Sequence, residues 1–392
     1  MRFATGSRTT AARTTTALGV ALAALALPLL AAPASAATGD VLTFGANGFG
    51  QLGNGPVGDS PRPTPTQVLS GATDVAGGRE HALAVVDGRV WAWGADTKGA
   101  VGDGGTFAAA VATPTQVTAA VSGVDSVTTG HYHSLALDED TDSVWAWGWN
   151  SRGQMGPAGG TKLKIAAPVS VPLPAGQVSM VAAGRAHSLA VVDGRVYAWG
   201  DNGSGQLGRA KDDARNATPT LVKGLPAGVT WIAGGRDSSF AIAGGALYAW
   251  GSNNYGQLGD GTLTLRATPV RIAGLVVSQV ESGADHTVAL LADGTVRAWG
   301  RNRYGQVGVS GTTNRKSPVA VPGLSGITEV RVGRDHSMAI GGGELYAWGR
   351  NDGGQLGLSA TATPSTSTPT RVPGTAGVVD AAGGQVYSVV LR

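Results

Sequence analysis

The sequence contains no cysteine, so disulfides and thiolate metal sites are excluded and stability must come from packing. Charge is sparse at 14% of residues, and neither sign dominates. The 29 Lys and Arg exceed the 26 Asp and Glu by three, and three arginines (Arg2, Arg8, Arg13) lie in residues 1–36, which hold no acidic residue. Without that segment the balance is 26 against 26, which removes the cationic surplus that non-specific nucleic-acid binding requires. Bilayer-length apolar runs are absent as well. The stretch from Leu18 to Leu30, broken by Gly19 and Pro28, is too short to span a membrane, and no second candidate follows. No nucleophile elbow, phosphate loop or zinc-binding helix motif occurs, and no catalytic residue, metal ligand or cofactor is assigned.

The basic start, the short apolar run and the small residues Ala34-Ser35-Ala36 together read as a signal peptide over residues 1–36. Without a twin-arginine pair, this predicts export by the general secretory route and a secreted, extracellular protein with its folded part in residues 37–392.

What is abundant is glycine, at 63 residues, and tryptophan, at 10. They recur together. The stretch Trp299-Gly300-Arg301-Asn302-Arg303-Tyr304-Gly305-Gln306-Val307-Gly308 has counterparts starting at Phe44, Trp93, Trp147, Trp199, Trp250 and Trp348. The glycines at 45, 94, 148, 200, 251, 300 and 349 are separated by 49, 54, 52, 51, 49 and 49 residues, the length of one propeller blade. A ring of such blades is one domain whatever its length, which overrides the two or three domains that 392 residues would suggest.

Each repeat reads as four strands. Val75-Ala76-Gly77-Gly78 is short and small, as expected next to a crowded axis, and His81 to Val86 is rich in strand formers. Asp87-Gly88 is a hairpin signal before Val90 to Gly94. A long loop then leads to Thr113-Pro114-Thr115-Gln116-Val117, where proline suits an outer edge strand. The hairpin recurs at Asp193-Gly194, Gly244-Gly245, Asp293-Gly294 and Gly342-Gly343, and is expanded at residues 138–143. After the leader the chain opens with a third strand (Val41 to Gly45) and a fourth (Thr64 to Val68), and it ends with a first (Val379 to Gly383) and a second (Tyr387 to Leu391). The predicted fold is therefore all-β, a seven-bladed β-propeller of four-stranded blades, closed by pairing of the N- and C-terminal strands in one shared blade.

The string Trp-Gly-x-Asn-x-x-Gly-Gln-Leu-Gly, preceded by Gly-x-x-His-Ser-Leu-Ala, resembles the repeat of the regulator of chromosome condensation family over nearly the whole chain. The resemblance implies a seven-bladed β-propeller, and the leader makes the chain look like a secreted bacterial member. The family's founder is a nuclear exchange factor for a small GTPase that also binds chromatin, and the superfamily includes a secreted inhibitor of β-lactamase.

Repetition separates scaffold from site. Trp93, Trp147, Trp199, Trp250, Trp299 and Trp348 recur at one position, with Phe44 in the seventh, and read as packing residues. His81, His133, His187, His286 and His336 recur at another, replaced by Ser238 and Tyr387. Spread around a ring, they are too far apart to share a metal ion and read as half-buried imidazoles bonded to neighbouring backbone. The acidic run from Asp138 to Asp142 offers oxygens to Ca²⁺ but lacks the glycine and distal glutamate of a helix-loop-helix calcium site, so it reads as an acidic hairpin.

Strand direction puts the loop between first and second strands on the same face as the long loop between third and fourth. That face carries Arg79, Glu80, Tyr132, Trp149, Arg236, Asp237, Asp285, Arg334 and Asp335, with Asn254, Tyr255, Arg301, Arg303, Tyr304 and Arg350 clustered in three consecutive repeats. Tyr and Arg are over-represented at interface hot spots. The expectation is a non-enzymatic, monomeric binding propeller that recognises a protein partner through this face, inhibition of an exported enzyme being one version. The alternatives are a carbohydrate or cell-wall binder with hydrolase or lyase activity in the central funnel, and a GTPase exchange factor.

Overall fold

The computed structural model describes residues 38–392 except 106, 119 and 120. The predicted signal peptide over 1–36 lies outside the described residues. Among those described the structure is all-β, with a single short 3-10 turn at Pro157–Gly159 as its helical element. No described helix is long and apolar enough to cross a membrane.

The repeat pattern becomes antiparallel sheets. The first strands are β1 (Gly39–Asn47), β2 (Gly58–Gly77), β3 (His81–Val86), β4 (Arg89–Gly94) and β5 (Val111–Gln116). Five further sheets each have four strands in sequence order, for example Val178–Ala183, His187–Val192, Arg195–Asn202 and Asp212–Leu221. In each, the proline-bearing strand lies at the outer edge, where its missing N–H costs no ladder bond. The two-residue hairpins form as expected: Asp87 (φ 50) and Gly88 (φ 67) both occupy the left-handed region that a tight hairpin needs. Asp293-Gly294 differs. Only Gly294 has positive φ there, because the Asp293 carboxylate accepts from both the N–H and the hydroxyl of Thr295 and draws the turn one residue further.

The remaining sheet has seven strands, in the order Asp380–Gly383, Tyr387–Leu391, β1, β2, β3, β4, β5. The terminal strands meet as predicted: β1 pairs with Tyr387–Leu391 on one side and β2 on the other. What differs is that β2 is continuous. The expected fourth strand around Thr64 and the expected first strand around Val75 are one strand, pivoting at Ala72, which faces Gly39 on one side and Val86 on the other. No turn residue sets a break there except Gly71 (φ 75), so the outer edge of the terminal unit runs directly into the inner edge of the next.

The core lies between successive sheets. Leu189, Val191 and Val196 of one sheet pack with Ile232, Ala241 and Trp250 of the next. The terminal unit is covered on both sides, with Val41, Val389 and Leu391 against Ala82, Ala84 and Trp93, and Leu42, Phe44 and Val390 against Met338, Ile340 and Leu345. All six repeated tryptophans and Phe44 are fully buried. Burying an aromatic of this size removes roughly 150–250 Å² from water, about 4–6 kcal/mol. The innermost strands touch their neighbours in the order β2, Ser126–Thr129, Val178–Ala183, Val229–Gly234, Val277–Ser282, Ile327–Val332, Asp380–Gly383, and the last of these touches β2.

The recurring polar residues are internal parts of this packing. In the loop after Trp299, the Asn302 carbonyl accepts from the Val307 N–H at 2.9 Å, and the Gln306 side chain accepts from the Tyr304 N–H at 2.8 Å. The loop so shaped presents the Gln306 backbone carbonyl to the next sheet, where it accepts from Trp348 Nε1 (2.9 Å) and Ser337 Oγ (2.8 Å). The string that marks the repeat is thus a device for holding the neighbouring sheet's tryptophan.

The histidines serve the same end, and differently from the expectation. They are fully buried, and each bonds a serine of the next sheet rather than local backbone: His81 to Ser134, His133 to Ser188, His187 to Ser239, His286 to Ser337 and His336 to Ser388, at 2.9–3.2 Å. Because the Ser388 hydroxyl donates its one proton to the Gln355 carbonyl, it must accept from the imidazole, which fixes the proton on His336 Nε2. A side chain at Gly78, Gly130, Gly184, Gly283 or Gly333 would overlap these rings. Where the next sheet offers Ala82 in place of serine, the ring position holds Tyr387, whose hydroxyl reaches the carbonyls of Gly78 and His81 instead.

Candidate functional site

The loops that begin at the repeated glycines are joined to one another by backbone hydrogen bonds. Arg79 N–H donates to His131, His131 to Arg185, Arg185 to Gly235 and Arg236, and Arg236 to Gly283. Ala284 donates to Arg334, Arg334 to Gly384, and Gln385 to Arg79, at 3.0–3.3 Å throughout. Each loop also accepts from the long loop of its own sheet, as where Trp149 N–H donates to the Tyr132 carbonyl and Arg350 N–H to that of Asp335. Side chains from both loop sets are therefore held on one face at fixed positions, as the strand directions require.

This arrangement lines a charged cavity of about 310 Å³ with Arg79, His131, Tyr132, Trp149, Ser151, Arg152, Arg185, Ala186, Asp201, Arg236 and Arg334. Five arginines face a single lining carboxylate. Asp201 bridges Arg185 (3.3 Å) and Arg152 (3.6 Å), while Asp237, behind the rim, holds Arg185 at 2.8 Å. Arg79 donates to the Gln385 side chain at 2.5 Å and to the Tyr132 hydroxyl, and its guanidinium lies 5.1 Å from the centre of that ring. Burial pushes His131 down to about 3, helped by the field of Arg185, Arg79, Arg236 and Arg334, so this imidazole is neutral at physiological pH. Burial also raises Glu80, against the opposing pull of Arg79 and Arg334.

Of the predicted binding residues, Arg79, Tyr132, Trp149, Arg236 and Arg334 line the cavity. Glu80, Asp237 and Asp335 sit behind it as partners of Arg79, Arg236 and Arg334, at 3.4, 3.6 and 3.6 Å. The others form an adjoining group. Asp285 pairs with Arg301 at 3.3 Å, Arg301 stacks over Tyr255, and Arg303 and Arg350 both lie 5.3 Å from the centre of the Tyr304 ring. Asn254 is exposed beside them. Trp149 is half-buried, with Lys98 Nζ 4.5 Å from its ring centre.

Sequence reasoning did not single out His131, Arg152, Arg185 or Asp201 as site residues. Arg185 carried a signal, since it stands at the same repeat position as Arg79, Arg236 and Arg334. Arg152 and Asp201 carried one too, since Asp201 stands at the repeat position of Trp149, Arg301 and Arg350, and Arg152 at that of Tyr255 and Tyr304.

The inner strands hold a second charged group, in which Arg331 pairs with Glu329, with Asp380 at 3.1 Å and with Glu281 at 3.7 Å. Burial raises Glu281 to about 7 and Glu329 to about 8, against the favourable field of Arg331, and it raises Asp74 well above the usual carboxylate range. In the expanded hairpin, Asp138 accepts from the Thr141 N–H and Asp142 from the Val178 N–H, so both carboxylates are engaged in shaping the chain. Among the described residues no group of three or more His, Cys, Asp or Glu is placed to hold a metal ion.

Successive four-stranded sheets packed side by side, with their long loops gathered on one face, define a β-propeller. The family described as RCC1-like domain matches residues 40–390, and the chain belongs to that family. It is 33% identical over 229 residues to the probable E3 ubiquitin-protein ligase HERC6 of Homo sapiens, covering 55% of this chain and 22% of that protein. It is 32% identical over 171 residues to the ultraviolet-B receptor UVR8 of Arabidopsis thaliana, covering 42% and 38%. The chain therefore spans well under half the length of these relatives. Among solved structures, human WBSCR16 superposes with a TM-score of 0.78 at 26% identity, over 90% of this chain and 98% of that one. Prp20p from Saccharomyces cerevisiae, described with its binding properties to Gsp1p and histones, gives 0.80 at 24%, over 90% and 91%.

Proposed function

We propose that this chain is a non-enzymatic recognition propeller that binds a protein partner through the arginine-lined face. Its scaffold is a seven-bladed ring, closed in one shared blade by the terminal strands. The closure is supported by the double pairing of β1, by inner-strand contacts that return from Asp380–Gly383 to β2, and by the loop hydrogen bonds that return from Gln385 to Arg79. The seven-stranded sheet is then two blades sharing β2. The leader-like segment supports export, and inhibition of an exported enzyme is one form the recognition takes.

One observation carries the functional reading. Five arginines, with Tyr132 and Trp149, converge from separate repeats on a single cavity, whereas the recurring residues are consumed in packing. Loops on a rigid scaffold are where binding residues belong, and Arg, Tyr and Trp are the types that dominate interface energetics. The test is an affinity capture from the producing organism's secreted proteins, using the chain and its R79Q/R236Q/R334Q variant, followed by reconstitution with the purified partner. A protein bound by the native chain and lost by the variant, with thermal melting unchanged, is the expected result. Equal capture by both would overturn the reading.

A further inference from the structure

The five cavity arginines are not equivalent. Arg185 is held by Asp201 and Asp237, Arg79 by Gln385, Tyr132 and Glu80, and Arg152 donates to the Asp213 carbonyl at 3.2 Å while approaching Asp201. Arg236 and Arg334 differ. Among the described residues, each has a single carboxylate contact, through Nε at 3.6 Å, and no side-chain hydrogen bond. Both line the cavity, and their terminal nitrogens have no hydrogen-bond acceptor among the described residues, although Asp285 lies in the field of Arg236 and Glu80 in that of Arg334. Guanidinium groups present rigid forks matched to carboxylate geometry, and a fork already oriented from behind loses little freedom on binding.

Next to these two forks the cavity offers apolar surface on Tyr132 and Trp149 and a neutral His131. We infer that Arg236 and Arg334 receive the side-chain carboxylates of an acidic segment of the protein partner, whose backbone and aliphatic stems lie over Tyr132 and Trp149. This deepens the recognition reading and rests on it. A lone small anion is disfavoured by the dimensions, since about 310 Å³ exceeds what one carboxylate or phosphate fills, and the donors come from different repeats. The half-exposed position of the arginines makes the attraction sensitive to salt.

The experiment uses the whole chain and a fluorescein-labelled oligoglutamate peptide, with a Gly-Ser peptide of equal length as control. Anisotropy is read at low and at physiological salt. The expected result is saturable binding of oligoglutamate alone, weakened about tenfold by R236Q or R334Q and further by the pair. The control variant R89Q/R195Q, on the opposite hairpin face, should bind like the native chain, and all variants should melt together. No oligoglutamate binding, equal binding by R236Q/R334Q, or displacement by inorganic phosphate at concentrations matching the peptide would overturn the inference. Failure here with the captured partner still lost by R79Q/R236Q/R334Q removes the acidic-segment assignment alone. Retention of that partner removes the recognition reading itself.

Discussion

Replacing His336 by glutamine should make stability at acid pH rise relative to the native chain, although it lowers stability at neutral pH. The native imidazole is fully buried, donates through Nε2 to Ser388 at 3.0 Å, and has no partner at Nδ1 among the described residues. A second proton would have to sit on that orphan nitrogen, so burial pushes the group down to about 3 from an ordinary 6.5, with the neighbouring His286 and Arg350 adding to it. The sign follows. A group whose folded value is depressed gives its full contribution above the unfolded value, and the contribution falls away as pH drops from 6.5 towards 3. The loss is about 1.4 kcal/mol per pH unit in that window, or about 2 kcal/mol at about pH 5. Glutamine cannot take up the proton. At neutral pH the variant gives up ring packing and a well-set hydrogen bond, about 1 kcal/mol. The two stabilities should therefore cross between about pH 5 and 6. Urea unfolding followed by tryptophan fluorescence at a series of pH values reads this directly, because Trp348 lies in the strand paired with that of His336. Midpoints that stay parallel from neutral to acid pH would refute the buried, neutral imidazole.

Three other outcomes follow from the same structure. Trp299→Ala should cost about 3–5 kcal/mol in denaturant unfolding, because the fully buried indole also donates to the Gln257 carbonyl at 2.8 Å. Glu329→Gln should flatten the stability profile between pH 4.5 and about 8. The native carboxyl, raised by burial to about 8 from 4.5, favours folding least once it ionises, so native stability falls as pH rises from 4.5 to about 8, and the variant, which keeps the raised Glu281 and Asp74, falls less steeply. Removal of residues 379–392 strips β1 of its inner partner and takes Val390 away from Leu42, Phe44, Met338 and Ile340, so the truncated chain should melt lower and self-associate in size-exclusion chromatography.

Much of this architecture was legible because each repeat spends the same residues on the same contacts. The Trp-Gly step, the Asn and Gln that shape the following loop, and the edge prolines each carry a physical requirement that any copy must meet. The terminal pairing was legible for the same reason, since the chain begins and ends with complementary halves of a repeat. The continuity of β2 was not, because Pro61, Pro63, Pro65 and Gly71 look like punctuation until the double pairing at Ala72 is seen. Nor was the histidine bond to the next sheet, which is a contact between repeats and leaves no local pattern. The Tyr387 exception makes this plain, since tyrosine stands there because Ala82, far away in sequence, offers no hydroxyl. The cavity was half legible. Arg79, Arg185, Arg236 and Arg334 share a repeat position, but that Arg185 is the one held by two carboxylates depends on Asp201 and on Asp237 of the next repeat.

The division between a packed scaffold and an arginine-lined recognition face is tested most directly by amide hydrogen exchange of the chain with and without its captured partner. Protection on binding should appear in the loops at 78–81, 184–187, 235–238 and 333–336, and exchange at the hairpins at 87–88, 193–194 and 342–343 should stay unchanged. Protection confined to the hairpins, with the arginine loops exchanging as before, would contradict it.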